Sequence, residues 1–146
     1  MKMFEQIGEF TPDSLIASDD FSILKAGIGL KAGQGVLKRG SLIMKCADGA
    51  GYIAGTTVTV NVGEGENAET KNAEMKVFGI LTDDTDTGTD ATAANVPVVC
   101  YQTGVFNRAA VIVTGKDEAG KNATVDKYED DMKVVSLFLR NVQKYE

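Results

Sequence analysis

The residue types that usually carry enzymatic chemistry are scarce in this sequence. It contains no histidine, the commonest general base and a frequent metal ligand in proteins. Its only two cysteines, Cys46 and Cys100, are too few for a tetrathiolate zinc site. We therefore expect no catalytic residues, no metal site and no cofactor, and we expect that the protein is not an enzyme.

Residues 115–122 nearly match the phosphate-binding loop pattern G-x-x-x-x-G-K-[ST]. Asn122, however, stands where a Ser or Thr hydroxyl would hold magnesium, and Asp117 and Glu118 would repel phosphate groups. The alternating strand and helix units that normally carry such a loop are also missing from the sequence pattern. We interpret this segment as a Gly-rich hairpin or a strand-to-helix connection.

An acidic segment runs from Asp83 to Asp90, where Asp residues alternate around a glycine as they do in calcium-binding loops. Its spacing does not fit: counted from Asp84, the glycine comes one position early, and Asn95 stands where the bidentate Glu should be. A solvated acidic loop is the preferred interpretation. The alternative is a small β-rich ligand- or cation-binding module that uses this loop.

The charge and hydropathy of the chain exclude further classes of partner. The 146 residues carry a formal net charge of -6, whereas nucleic-acid binding needs clustered Lys and Arg. No stretch reaches the roughly 18 uninterrupted apolar residues of a membrane span, and the N-terminus lacks the apolar run of a secretion signal. We expect a soluble protein made in the host cytoplasm, with both thiols reduced and buried and with no nucleic-acid or membrane partner.

The sequence pattern predicts the elements that position these residues. Sixteen glycines among many Val, Ile and Thr residues favour short strands joined by tight turns, with Gly33, Gly35 and Gly40 as turn-forming positions. Polar loops are predicted at 63–73 and 82–94. The predicted strands cover residues 21–30, 41–46, 51–62, 75–81, 96–101, 109–114 and 137–143. The expected fold is α+β and mostly β, a small compact single domain.

One helix is predicted, close to the C-terminus. Val125, Tyr128, Met132 and Val135 recur at i, i+3, i+7 and i+10, which places them on one face of an α-helix. Acidic residues precede and follow Tyr128, where the helix dipole favours negative charge.

Residues 1–20 differ from the rest of the chain because their apolar residues follow no helical or strand period. Such a segment is typical of an extended arm that becomes ordered only against a partner. A strand or loop packed on its own domain is the other interpretation, and the sequence leaves both open. The predicted organisation is an arm at 1–20 and a β-rich domain at 21–146.

Three blocks of sequence follow one another along the chain. The first block is FTPDSLIA at 10–17, and the second block is AGQGVLKRGSL at 32–42. The third block runs from FGIL at 78–81 through the acidic loop and VPVV to TGVFN at 103–107. In this order and approximate spacing the blocks resemble the lambda-type bacteriophage head-decoration family. The predicted helix and the LFLRNV that follows it are similar to that family's ending. The resemblance covers most of the chain and is weakest at 46–76.

The resemblance implies a virion protein that binds the outer surface of the expanded head as a homotrimer and stabilises it against the pressure of the packaged genome. Its partner would be the major capsid protein, contacted by an N-terminal arm that pairs with capsid strands. Carried over to this sequence, the arm is residues 1–20. Its expected contact residues are Phe4, Phe10, Pro12, Leu15 and Ile16.

Overall fold

The computed structural model describes residues 15–18, 21–63, 65–67, 69–115 and 120–141, and these residues form a mostly β domain with one short α-helix near the C-terminus, as predicted. The strands are β1 (Ile16–Ser18), β2 (Lys25–Leu30), β3 (Val36–Leu37), β4 (Leu42–Cys46), β5 (Gly51–Ile53), β6 (Thr59–Val62), β7 (Glu69–Asn72), β8 (Met75–Leu81), β9 (Thr85–Asp86), β10 (Val96–Tyr101), β11 (Gly104–Asn107) and β12 (Leu137–Arg140).

Five of these strands close into a small barrel in the order β10-β2-β5-β4-β8. Strand β4 is buried on both faces, since Leu42 and Met44 pack into one hydrophobic cluster and Ile43 packs into another. A strand with both faces covered needs a continuous apolar run, and the sequence Leu-Ile-Met supplies one. Strand β4 therefore lies between two parts of the core.

A three-stranded sheet in the order β1-β11-β12 lies beside the barrel and brings the two ends of the described chain together. Central strand β11 pairs antiparallel with β1 and parallel with β12, and all four of its residues are buried. Phe106 and Leu137 from this sheet are fully buried in the same cluster as Leu42. The sheet and the barrel thus share one core.

The predicted helix forms in two parts. A 3-10 turn at Val125–Tyr128 leads into helix α1 (Glu129–Val134), and Val125 and Met132 are buried on the predicted face. Val135 lies after the helix and is 37% exposed. The chain reverses at Ser136, whose φ of 67° is left-handed, and it then enters β12.

The predicted strand at 51–62 was wrong as a single element. It is two strands, β5 and β6, separated by a turn at Gly55 with φ of 102°. A Cβ at Gly55 would lie 1.8 Å from the carbonyl oxygen of Thr114, so only glycine fits this approach. The alternating valines that suggested one long strand, Val58, Val60 and Val62, all lie after this break.

Two predicted loops contain strands. Residues 63–73 include β7, which pairs antiparallel with β6 in a two-stranded hairpin, and 82–94 include β9, which pairs with β3. All four residues of β7 are exposed. A strand exposed on both faces lacks the apolar alternation by which strands are recognised, which is why the sequence indicated a loop.

The predicted strand at 109–114 was also wrong. Residues Arg108–Ala110 form a 3-10 turn, and in the rest of the segment Ile112 makes an isolated bridge with Ser41. The strand instead lies earlier, at β11, in what the sequence suggested was a connection. The apolar residues of 109–114 are explained by packing, since Val111 is buried in the core without belonging to a strand.

Candidate docking surface

The described chain begins at Leu15, in the segment predicted to be an arm. Leu15 is 1% exposed and belongs to the core cluster that contains Phe106. The backbone amide of Asn107 donates a hydrogen bond of 2.8 Å to the Leu15 carbonyl. This corrects the prediction that Leu15 contacts a partner, because burial in its own domain leaves none of its side chain available.

Residues 16–18 are attached to the same sheet. Ile16 pairs with Phe106 and Ser18 with Val105, which puts β1 at one edge of the three-stranded sheet. The Ile16 side chain is 37% exposed and can still contact a partner. For residues 15–18, therefore, the second interpretation of the segment holds, a strand packed on its own domain. The other predicted contact residues, Phe4, Phe10 and Pro12, lie outside the described residues.

The second and third blocks are joined by reciprocal backbone hydrogen bonds. The amide of Gly33 donates to the Thr87 carbonyl (2.9 Å), the amide of Gly35 donates to the Gly88 carbonyl (2.9 Å), and the amide of Thr87 donates to the Gly35 carbonyl (2.8 Å). Gly33 and Gly35 have φ values of 90° and 75°, the left-handed conformation expected of turn-forming glycines. The loop before β3 and the acidic loop thus form one unit.

The first and second blocks meet at Gly40, which has a φ of 97°. A Cβ at this position would lie 2.6 Å from the Ala110 carbonyl oxygen and 3.4 Å from the Leu15 side chain. The backbone turn therefore needs glycine both for its conformation and for the space it leaves. All three blocks are consequently in contact within one fold.

Two side chains of the second block form hydrogen bonds with groups that lie far away in sequence, and the sequence pattern indicated neither. The Gln34 amide accepts from the Ile53 amide (3.0 Å) and donates to the Gly51 carbonyl (3.1 Å). The Arg39 guanidinium donates to the carbonyl of Thr82 (2.7 Å) and to the hydroxyl of a buried tyrosine (2.8 Å). Polar residues such as these give no periodic signal, and their partners are identifiable only in the folded chain.

An ion cluster attaches the helical segment to the end of β11. The Arg108 guanidinium donates two hydrogen bonds to the Glu129 carboxylate (3.0 and 2.7 Å), and it also donates to Asp126 and to Asn141. The hydrogen bond from Arg108 lowers the pKa of Glu129 below its usual value. A bidentate Arg–carboxylate pair fixes geometry as well as charge, so this cluster orients α1 against the sheet.

Carboxylates of the acidic loop accept hydrogen bonds from nearby backbone. Asp84 accepts from the Arg39 amide (2.7 Å) and Asp86 from the Gly88 amide (2.8 Å). Asp90 accepts from the amide and the hydroxyl of the threonine two positions later, and these bonds lower the pKa of Asp90. Within the part of the chain that the structure describes, no three His, Cys, Asp or Glu side chains are grouped as metal ligands. The cation-binding alternative stays a prediction, which a calcium titration tests.

The segment that resembles a phosphate-binding loop is described only at its two ends, since 116–119 lie outside the described residues. The amide of Ala123 donates to the Gly115 carbonyl at 3.1 Å, which closes the segment on itself. Gly115 packs directly against the backbone of Gly55. The interpretation of this segment as a Gly-rich hairpin or a strand-to-helix connection stays a prediction.

Both thiols are free and buried, as the sequence suggested. Cys100 is 0% exposed and Cys46 is 4% exposed. Burial raises the pKa of the Cys100 thiol to about 12, so at neutral pH it is protonated and unreactive.

The surface carries several exposed apolar side chains, and these are candidate contacts for a partner. Phe21 packs edge-on against Phe138 of β12, with ring centroids 5.2 Å apart, while 38% of its surface stays exposed. Val134, at the end of α1, is 83% exposed. The full set among the described residues is Ile16, Phe21, Leu24, Val36, Val99, Ile112, Val134 and Val135.

Among the described residues, no helix is long and apolar enough to cross a membrane. No protein-family model matches this chain. No curated protein matches it at a significant level either.

Proposed function

We propose that this chain is a bacteriophage capsid decoration protein, which binds the outer surface of the expanded head as a homotrimer and stabilises it against internal genome pressure. The observation that carries the proposal is the contact between the three blocks that resemble the decoration family. The first block pairs with the third through β1 and β11, and the second hydrogen-bonds the acidic loop of the third. A fold shared with that family requires the three blocks to lie together, and their contact therefore supports the proposal.

The proposed partner is the major capsid protein. Because Leu15 is buried, the proposed contact segment is residues 1–14 together with the exposed side chain of Ile16. Leu15 fixes the end of this segment in the core, so that a force on the segment is transmitted to the domain. Strand addition to a capsid sheet would use the backbone of the segment, with Phe4 and Phe10 in apolar pockets.

Attachment by three segments compensates for the cost of ordering each of them. Ordering a segment on binding costs roughly 2–5 kcal/mol of the interaction energy. In a trimer the second and third segments bind at high effective concentration once the first is attached, so that weak individual contacts give lasting attachment. Stabilisation of this kind clamps neighbouring capsid subunits and requires no catalytic step.

The proposal is tested on heads of the phage or prophage that encodes the chain. Quantitative mass spectrometry of purified heads should find a copy number close to that of the major capsid protein. Absence of the chain from heads that package DNA normally would overturn the proposal.

The role of the N-terminal segment is tested separately by adding purified protein to expanded heads that lack it. Deletion of residues 1–14 should preserve the melting temperature, because Leu15 and β1 are retained, and should abolish binding to the heads. Deletion of residues 1–18 is the contrasting variant, since it also removes Leu15 and should destabilise the domain. Undiminished binding after deletion of 1–14 would contradict the role of this segment.

A further inference from the structure

A surface groove of about 390 Å³ lies between the first half of β8, the chain before β11 and the end of the helical segment. Its charged lining residues are both lysines, in a protein whose net charge is -6. We call it the lysine groove. Its lining residues are Lys45, Lys76, Val77, Phe78, Gln102, Thr103 and Val135.

Phe78 contributes an apolar surface to the lysine groove because the pairing of β4 with β8 is irregular at this residue. Along β4 and β8, Ile43 pairs with Gly79 and the next residue, Met44, pairs with Val77, so the register skips Phe78. An extra residue of this kind redirects its side chain out of the regular alternation. Phe78 is accordingly half-buried and lines the groove, although β8 is buried on either side of it.

The two lysines are cross-strand neighbours on adjacent strands. Lys45 on β4 and Lys76 on β8 are directly paired in register, and both are exposed. Like charges at directly opposite positions destabilise a sheet. Among the residues that the structure describes, neither lysine forms a salt bridge, although Glu74 lines a neighbouring groove together with both of them. Their repulsion in the free protein is therefore only partly offset.

We propose that the lysine groove binds an acidic segment of the capsid subunit that also carries an apolar side chain. A carboxylate placed between Lys45 and Lys76 would remove their mutual repulsion, and the apolar side chain would pack on Phe78 and Val135. This inference rests on the proposed function, and it adds a second contact to that of the N-terminal segment.

An adjoining groove of about 290 Å³ gives the occupant a direction. It shares Lys76 and Val135 with the lysine groove but also includes Asp131 and the highly exposed Val134. The Asp131 carboxylate there repels further acids. We therefore place the acidic residue of the capsid segment at the lysine end and its apolar residues toward the end of α1.

The test uses full-length protein and purified expanded heads that lack it, with binding followed by co-sedimentation. Lys45→Glu and Lys76→Glu are compared with Lys71→Glu, which makes the same change in net charge on the exposed strand β7. Each groove variant should bind about tenfold or more weakly than wild type, since like charges juxtaposed across an interface cost several kcal/mol. The control should bind within about twofold of wild type.

Thermal unfolding of the free variants separates a binding role from a structural one. Each single groove variant replaces a repulsive cross-strand pair by an attractive one and should raise the melting temperature by up to about 4 °C. The double variant Lys45→Glu/Lys76→Glu restores repulsion, so its melting temperature should return close to that of wild type while its binding to heads stays weak. A merely structural role would predict that stability and binding fall together.

The outcomes distinguish this inference from the function on which it rests. If wild-type protein does not bind the heads, the proposed function fails, and the inference fails with it. If wild type binds and the groove variants bind like the Lys71→Glu control, the proposed function stands and the lysine groove is not a contact. Selective loss of binding by folded groove variants supports the inference.

Discussion

Replacement of Leu15 by alanine tests whether the first described segment belongs to the core. The side chain is 1% exposed and packs in the cluster that contains Phe106 and Leu42. Removing a fully buried leucine side chain costs about 2–5 kcal/mol, the sum of lost transfer free energy and of the cavity left behind. We expect Leu15→Ala to lower the free energy of unfolding by about 3 kcal/mol, and the melting temperature by roughly 6–12 °C for a chain of this size.

The neighbouring residue supplies a matched control. Ile16 lies in the same strand but is 37% exposed, so Ile16→Ala should cost less than about 1 kcal/mol. Urea unfolding followed by far-ultraviolet circular dichroism measures both variants, which suits a protein without tryptophan. An unchanged dependence of the unfolding free energy on urea concentration would show that the difference is one of stability.

One result would refute the placement of this segment. If the unfolding free energy of Leu15→Ala lies within about 0.5 kcal/mol of that of wild type, the leucine is not in the core. Residues 1–20 would then be interpreted as an arm that becomes ordered only against a partner. If Leu15→Ala is destabilised as expected but binds heads normally once folded, the residue anchors the segment without contacting the capsid.

Three further predictions follow from the fold. Gly40→Ala should lower the unfolding free energy by more than about 2 kcal/mol, because alanine is strained in the left-handed conformation and its Cβ clashes with backbone. Gly35→Ala should lower it by about 1 kcal/mol, because the space around Gly35 is open. Equal losses would contradict the tight turn at Gly40. Because the pKa of Glu129 is lowered in the folded protein, the ionised carboxylate stabilises the fold at pH values above its unfolded pKa, near 4.5. This stabilisation is lost as the pH falls through the folded pKa. The unfolding free energy of Glu129→Gln, measured in urea, should therefore fall less steeply at acid pH than that of wild type. Cys100 should react with a thiol reagent in urea but not in native protein at pH 8, and rapid native labelling would contradict its burial.

The strands that could be predicted from the sequence are those whose burial requires a run of apolar residues. The run Leu-Ile-Met in β4 and the residues Gly-Ile-Leu that end β8 are buried and apolar enough to be recognised, and the buried face of the helical segment follows from Val125 and Met132. The β6–β7 hairpin was missed because strand β7 is exposed on both sides. Local pattern thus identifies an element to the extent that the core covers it.

The candidate site was less predictable because its parts come from distant positions. No local pattern places Lys45 opposite Lys76, and the one-residue register shift that exposes Phe78 arises from pairing between strands. The position of Leu15 was likewise undecidable, since its segment has no period and its core partners come from β4 and β11. Both features depend on tertiary contacts.

The fold also indicates where recognition of one particular capsid would reside. Residues of the second block such as Gln34, Arg39 and Gly40 hold turns and loops together, so their contacts lie within the fold and not with a partner. The stretch 46–76, where the resemblance is weakest, ends at Lys76 in the lysine groove. Under the proposed function, we expect exchange of residues 56–76 with the corresponding residues of a decoration protein to change which heads are bound, and to leave the barrel folded because β5 is retained.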